Sequence, residues 1–90
     1  MLNPATCRAT NISTATSTAI RFGHLVCITV NKPTLANTVT VYDGSAATGT
    51  KLATIAASGT SNTYWYLTKL LNGYCTVVTA GTDDITVICQ

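Results

Sequence analysis

Apolar and polar positions alternate most clearly between residues 38 and 57. In Thr38-Val39-Thr40-Val41-Tyr42 threonines separate the valines, and a second apolar segment runs from Lys51-Leu52 through Ile55. A period of two is what a strand with one buried face requires. Asp43-Gly44 interrupts the pattern, because glycine tolerates positive φ and aspartate can bond its own backbone. The small residues Ser45 to Thr50 then form a loop. The stretch predicts a two-stranded antiparallel ribbon, around which the remaining strands are expected to be organised.

Similar signals recur along the chain. Thr18 to Phe22 alternates and places Ile20 and Phe22 on one face, with Gly23-His24 as a turn. Leu25 to Asn31 is apolar almost throughout. Val26, Ile28 and Val30 are expected on one face and Leu25 and Cys27 on the other, both buried. Lys32-Pro33 ends that strand, since proline lacks the ladder donor. Ser58 to Asn62 is a turn cluster, Thr63 to Thr68 an aromatic strand, and Asn72-Gly73 a dipeptide of the kind type I′ hairpins prefer. Tyr74 to Thr79 and Ile85 to Cys89 are two further strands, separated by the turn Ala80 to Asp83. Residues 1–16 are small and polar apart from Leu2, Cys7 and Ile12. They predict an N-terminal arm with one short strand around Cys7 to Asn11, suited to lying on a neighbour. No segment has a helical period, and Leu67 to Leu71 is expected to make at most one turn. Seven to eight short strands with regular turns predict an all-β domain over residues 17–90, a small antiparallel β-sandwich of jelly-roll or Ig-like type.

Composition narrows the class further. With 47% apolar and 9% charged residues the chain is not disordered, and its nineteen threonines suit a pleated sheet better than a helix. Ninety residues bury only about 60–65% of the unfolded surface, so the core is thin. The net charge of +2 comes from Arg8, Arg21, Lys32, Lys51 and Lys69 against Asp43, Asp83 and Asp84. These cations are dispersed, whereas a nucleic-acid surface needs a basic stripe. No apolar run reaches the roughly 18–20 residues that span a bilayer. The first residues lack a basic and then apolar leader, so synthesis in the cytoplasm is expected, with neither nucleic acid nor membrane as partner.

Cys7, Cys27, Cys75 and Cys89 are the sharpest chemical feature. Their spacings contain no CxxC, which argues against structural zinc. They read either as free thiols behaving like small hydrophobes or as disulfides that stabilise a thin core. Three pairings are possible and the sequence does not choose among them; if bridges form, Cys7 with Cys89 and Cys27 with Cys75 is the expected one. His24, the one histidine, lies beside a turn glycine. Gly44-Ser45-Ala46 lacks the strand-to-helix elbow of a serine hydrolase, so no enzyme is expected and no catalytic, metal or cofactor residue is assigned. Turn chemistry accounts for Asp43, Asp83 and Asp84, which carry no calcium-loop pattern. In Tyr64-Trp65-Tyr66 neighbouring side chains point to opposite faces, one expected in the core and one at an interface.

The order HLVCITVN, TVTVYDGSAATGTKLATIAA, an aromatic strand ending LLNGY, and TVVTAGTDDITVICQ resembles small β-sandwich structural proteins of tailed bacteriophages. The likeness covers roughly residues 17–90 and is strongest at Val39 to Gly44, Gly49 to Ile55 and Val77 to Val87. It implies a virion protein without cofactor or catalysis, often a decoration (cement) protein on the outer capsid, sometimes a tail, neck or fibre component. The four cysteines depart from that pattern and suggest disulfide reinforcement. The expected partners are the major capsid protein and further copies of the chain, as a dimer or trimer. Leu2, Ile12, Tyr64, Trp65 and Tyr74 are the interface candidates. From another class, a carbohydrate-binding or adhesive module would use Tyr64 or Tyr66.

Overall fold

The computed structural model describes residues 4–32, 35–57 and 61–90. A 3-10 turn over Pro4–Thr6 precedes eight strands: β1 (Arg8–Ile12), β2 (Ser17–Arg21), β3 (His24–Val30), β4 (Val39–Asp43), β5 (Lys51–Ile55), β6 (Thr63–Lys69), β7 (Tyr74–Val78) and β8 (Ile85–Cys89). They form two four-stranded sheets, ordered β1-β8-β3-β6 and β2-β7-β4-β5. All ladders are antiparallel.

The strand order has a simple origin. β4 pairs with β5, β3 with β6, β2 with β7 and β1 with β8, so the chain is one long ribbon whose tip is the β4–β5 turn. The ribbon is rolled, and β3 then meets β8 and β4 meets β7 to close the two sheets. That is the jelly-roll arrangement of a β-sandwich, which decides between the two expected types. The stretch around residues 38–57 is thus the tip from which the whole ribbon extends. At the tip, the Asp43 N–H donates to the Thr50 carbonyl.

The inner faces follow the period-two pattern in most strands. Val39 and Val41 on β4, Ala53 and Ile55 on β5, Cys75 and Val77 on β7, and Ile85, Val87 and Cys89 on β8 all belong to one buried core. Strand β3 departs from the expected faces. The register shifts between Leu25 and Cys27 against both neighbours, which inserts one residue and turns the side chains over. Leu25, Ile28 and Val30 therefore share the inner face, and Cys27 falls on the outer one, paired with Ile88 and Trp65.

Two other expectations are corrected. The short strand expected around Cys7 to Asn11 forms as β1, but it pairs with β8 of its own chain and buries Ile12 in the core instead of lying on a neighbour. Asn72-Gly73 makes a turn, with Gly73 at φ 72°, but joins β6 in one sheet to β7 in the other and so closes no hairpin. Tertiary hydrogen bonds hold that crossover: Leu70 N–H to the Gly23 carbonyl and Phe22 N–H to the Gly73 carbonyl. Pro33, Ser58, Gly59 and Thr60, which belong to expected turns, lie outside the described residues, as does Leu2.

The few charges are placed where the fold needs them. Each edge strand carries one exposed cation, Arg8 on β1, Arg21 on β2, Lys51 on β5 and Lys69 on β6, and no inner strand carries Lys or Arg. An edge cation discourages strand addition from another molecule.

Gly49 shows how tightly the tip is drawn. A Cβ there would lie 2.6 Å from the Asp43 carbonyl oxygen, closer than packing allows. Gly49→Ala is expected to lower stability by about 1–3 kcal/mol, read from the urea midpoint with an unchanged slope.

Candidate functional site

The outer face of the β1-β8-β3-β6 sheet carries most of the features that the fold leaves unused. Its ladder rows are fixed by register. One row runs Ala9, Ile88, Cys27, Trp65, and the next runs Asn11, Thr86, Thr29, Thr63. The apolar row continues along β6 to Leu67. Trp65 is 63% exposed and Leu67 60%, while Cys27 beneath them is buried. A solvated tryptophan and leucine two residues apart on one strand form an apolar ridge on a largely threonine surface.

Leu67 also adopts φ 51°. Left-handed backbone is costly for a branched apolar residue and cheap for glycine or asparagine. It lies opposite the shifted register of β3, where Leu25 and Cys27 pair with Thr68 and Trp65. Local geometry thus needs an extra residue here, but it does not need that residue to be a leucine.

The aromatic strand divides as alternation demands. Tyr64 and Tyr66 pack half-buried against the core, and burial, with Tyr64 as a lesser influence, pushes the Tyr66 hydroxyl pKa up. Tyr74 lies on the outside of the other sheet, half-buried, with the Arg21 guanidinium 6.0 Å from its ring centre. Of the described interface candidates Trp65 is open to solvent, Ile12 is spent in the core, and Tyr64 faces inward.

Several of the described polar groups bind one another. Asn11 and Asn31 donate from Nδ2 to Asp84 Oδ1 at 2.7 and 2.9 Å, and Asn31 also donates to Thr86 Oγ1 at 3.0 Å. The amides of Asn31 and Asn11 hold the Asp84 carboxyl below its ordinary range. Asp83 is buried and accepts the N–H groups of Ala36 and Asn37 at 2.7 and 3.1 Å, which anchors the start of the approach to β4. Asp43 is buried between β5 and β7. Its Oδ2 accepts the Leu71 N–H at 3.3 Å, and its Oδ1 has no partner among the described residues. His24 is exposed at the start of β3 opposite Lys69. Among the described residues no three His, Cys, Asp or Glu side chains are placed to hold a metal ion.

No disulfide joins Cys7, Cys27, Cys75 and Cys89 in this structure. Cys75 and Cys89 are fully buried in the core, one from each sheet. Cys27 is buried on the outer face, so its own sheet separates it from Cys75 and the expected pairing of those two is blocked. Burial, and then Cys7, pushes the Cys27 thiol up. Cys7 Sγ lies 3.9 Å from Gln90 Oε1. Sequence periodicity had no means of finding the Cys75 and Cys89 juxtaposition, because it joins strands in opposite sheets.

The chain matches no family model, no curated protein and no solved structure at a significant level.

The sign of the Asp84 linkage follows from its depressed pKa. Its contribution is present above the unfolded carboxyl value near pH 4 and is lost as pH falls through the folded value. Asp84→Ala is therefore expected to flatten the acid limb of the stability curve below about pH 4, checked by urea unfolding at stepped pH.

Proposed function

We propose that this chain is a bacteriophage virion structural protein, a capsid decoration (cement) protein that binds the outer capsid and stabilises the head. The observation that carries the reading is the Trp65 and Leu67 ridge. Two large apolar side chains stand in solvent, and one is held in a backbone conformation that disfavours it. Strain kept at an exposed position points to use rather than folding. The jelly-roll sandwich, an architecture also found in viral capsid and lectin domains, supports the same assignment, as does the sequence resemblance described above.

In this reading the partner is the major capsid protein, and the chain acts as a dimer or trimer. Burying the ridge removes apolar surface from water at each of many repeated sites, and the summed contacts oppose outward pressure on the shell. The edge cations leave face-on docking as the favoured mode. A tail, neck or fibre component would use the same ridge in few copies.

Two measurements test the proposal. Quantitative mass spectrometry of purified particles from the source is expected to give a simple ratio of this chain to the major capsid protein. A handful of copies moves it to the tail or neck, and absence from particles defeats the virion reading. Leu67→Asn is expected to hold or raise monomer stability, by up to about 1 kcal/mol, while weakening binding to undecorated heads. Unchanged binding by both Leu67→Asn and Trp65→Ser would remove the ridge from the interface.

A further inference from the structure

We propose that Cys75 and Cys89 form a cross-sheet disulfide that locks the final strand onto the opposite sheet. Both side chains are fully buried in the same core, Cys75 from β7 and Cys89 from β8. Their strands lie in different sheets, and Cys75 pairs with Ile20 while Cys89 pairs with Leu25, residues that flank the Phe22-Gly23 corner joining those sheets, so both thiols stand at the same end of the sandwich interior. The mutual influence of the two thiols is the largest on each, lowering the Cys75 pKa and raising that of Cys89. Two buried thiols at one end of the sandwich, on inner strands of facing sheets, reach bonding distance once those strand ends draw together.

The surroundings favour a neutral bridge over a thiolate. Asp43 pairs with Cys75 in the β4–β7 ladder, and its buried carboxylate opposes a negative charge on that sulfur. Asp43 Oδ1 has no hydrogen-bond partner among the described residues, so the pocket already holds one poorly solvated negative group. A disulfide carries no charge and adds none. A metal is not the explanation for the pair, since no third ligand is placed near it among the described residues.

The oxidant is a low-molecular-weight disulfide of the glutathione class. The Cys75 thiolate attacks one of its sulfurs, breaking that S–S bond and releasing one thiol, which leaves a mixed disulfide on Cys75. Cys89, after losing its proton to water, then attacks the Cys75 sulfur and expels the second thiol. Two protein thiols are oxidised and one small disulfide is reduced to two thiols. Because both sulfurs are shielded from solvent, exchange requires β8 to detach, so bridging belongs to folding or to transient opening. The bridge closes residues 75–89 and restrains the chain end whatever partner the protein meets.

The test is a peptide map of the whole chain refolded in oxidised and reduced glutathione. Trypsin leaves Cys75 and Cys89 together in residues 70–90, where no Lys or Arg occurs. Cleavage before Asp83 then separates them unless they are bridged. The expected result is a fragment pair held by one disulfide and resistant to alkylation, in the wild type and in the Cys7→Ser, Cys27→Ser double variant alike. The bridged form is expected to melt on the order of 10 °C higher than the reduced form, as a loop of this length implies. Free thiols throughout, or links from Cys7 or Cys27 to residues 70–90, would overturn the assignment. So would a melting temperature that does not respond to reduction.

Discussion

The fold depends on β8 being inserted between β1 and β3. Its inner residues Ile85, Val87 and Cys89 are completely buried, and its ladder partners lie in residues 8–12 and 25–30. One sheet therefore exists only when the two ends of the chain meet. The entropy of closing such long loops must be met before the core repays it, which marks the domain as a slow, non-local folder. A thin core leaves little margin for error there. The inner side chains are accordingly small and branched, and they fill a single layer between the sheets.

Edges and faces of this molecule are treated differently. Four of the five cations sit one to each edge strand, where they discourage extension of either sheet. The outer face of the β1-β8-β3-β6 sheet carries Trp65 and Leu67 on the edge strand β6, beside its cation Lys69. A surface so arranged resists ribbon-to-ribbon association and favours packing against a shaped apolar partner. The strained backbone at Leu67 and the shifted register of β3 belong to the same place, since the shift that turns Cys27 outward also sets the geometry of β6 beside it.

Charge is nearly absent from the interior, and the exceptions are informative. Asp83 is fully used in binding two backbone N–H groups, a common way to terminate a loop without helix or strand. Asp43 is only half satisfied and pairs with Cys75 in the β4–β7 ladder. Among the described residues, this end of the sandwich brings buried cysteines of both sheets into one core, so the proposed bridge would tie the packing of the two sheets together.

Much of this was legible in the residues. Alternation at Val39 and Val41, at Ala53 and Ile55 and at Ile85 and Val87, with turn residues between, determined the strands, the all-β class and the central ribbon. Side-chain direction in a strand is a local property, so a local pattern suffices. The faces of Cys27 and Leu25 were not legible, because an inserted residue reverses parity without any mark in composition. Nor was the fate of Asn72-Gly73, a turn whose flanking strands part into different sheets, or the partner of the short N-terminal strand, whose polar residues stay exposed or half-buried while Ile12 alone is buried beside β8. The sequence by itself determined which residues extend and which turn. The tertiary structure alone decided which strands meet, which face Trp65 and Leu67 occupy and which cysteines stand together, because those relations join residues far apart in the chain through the rolling of the ribbon.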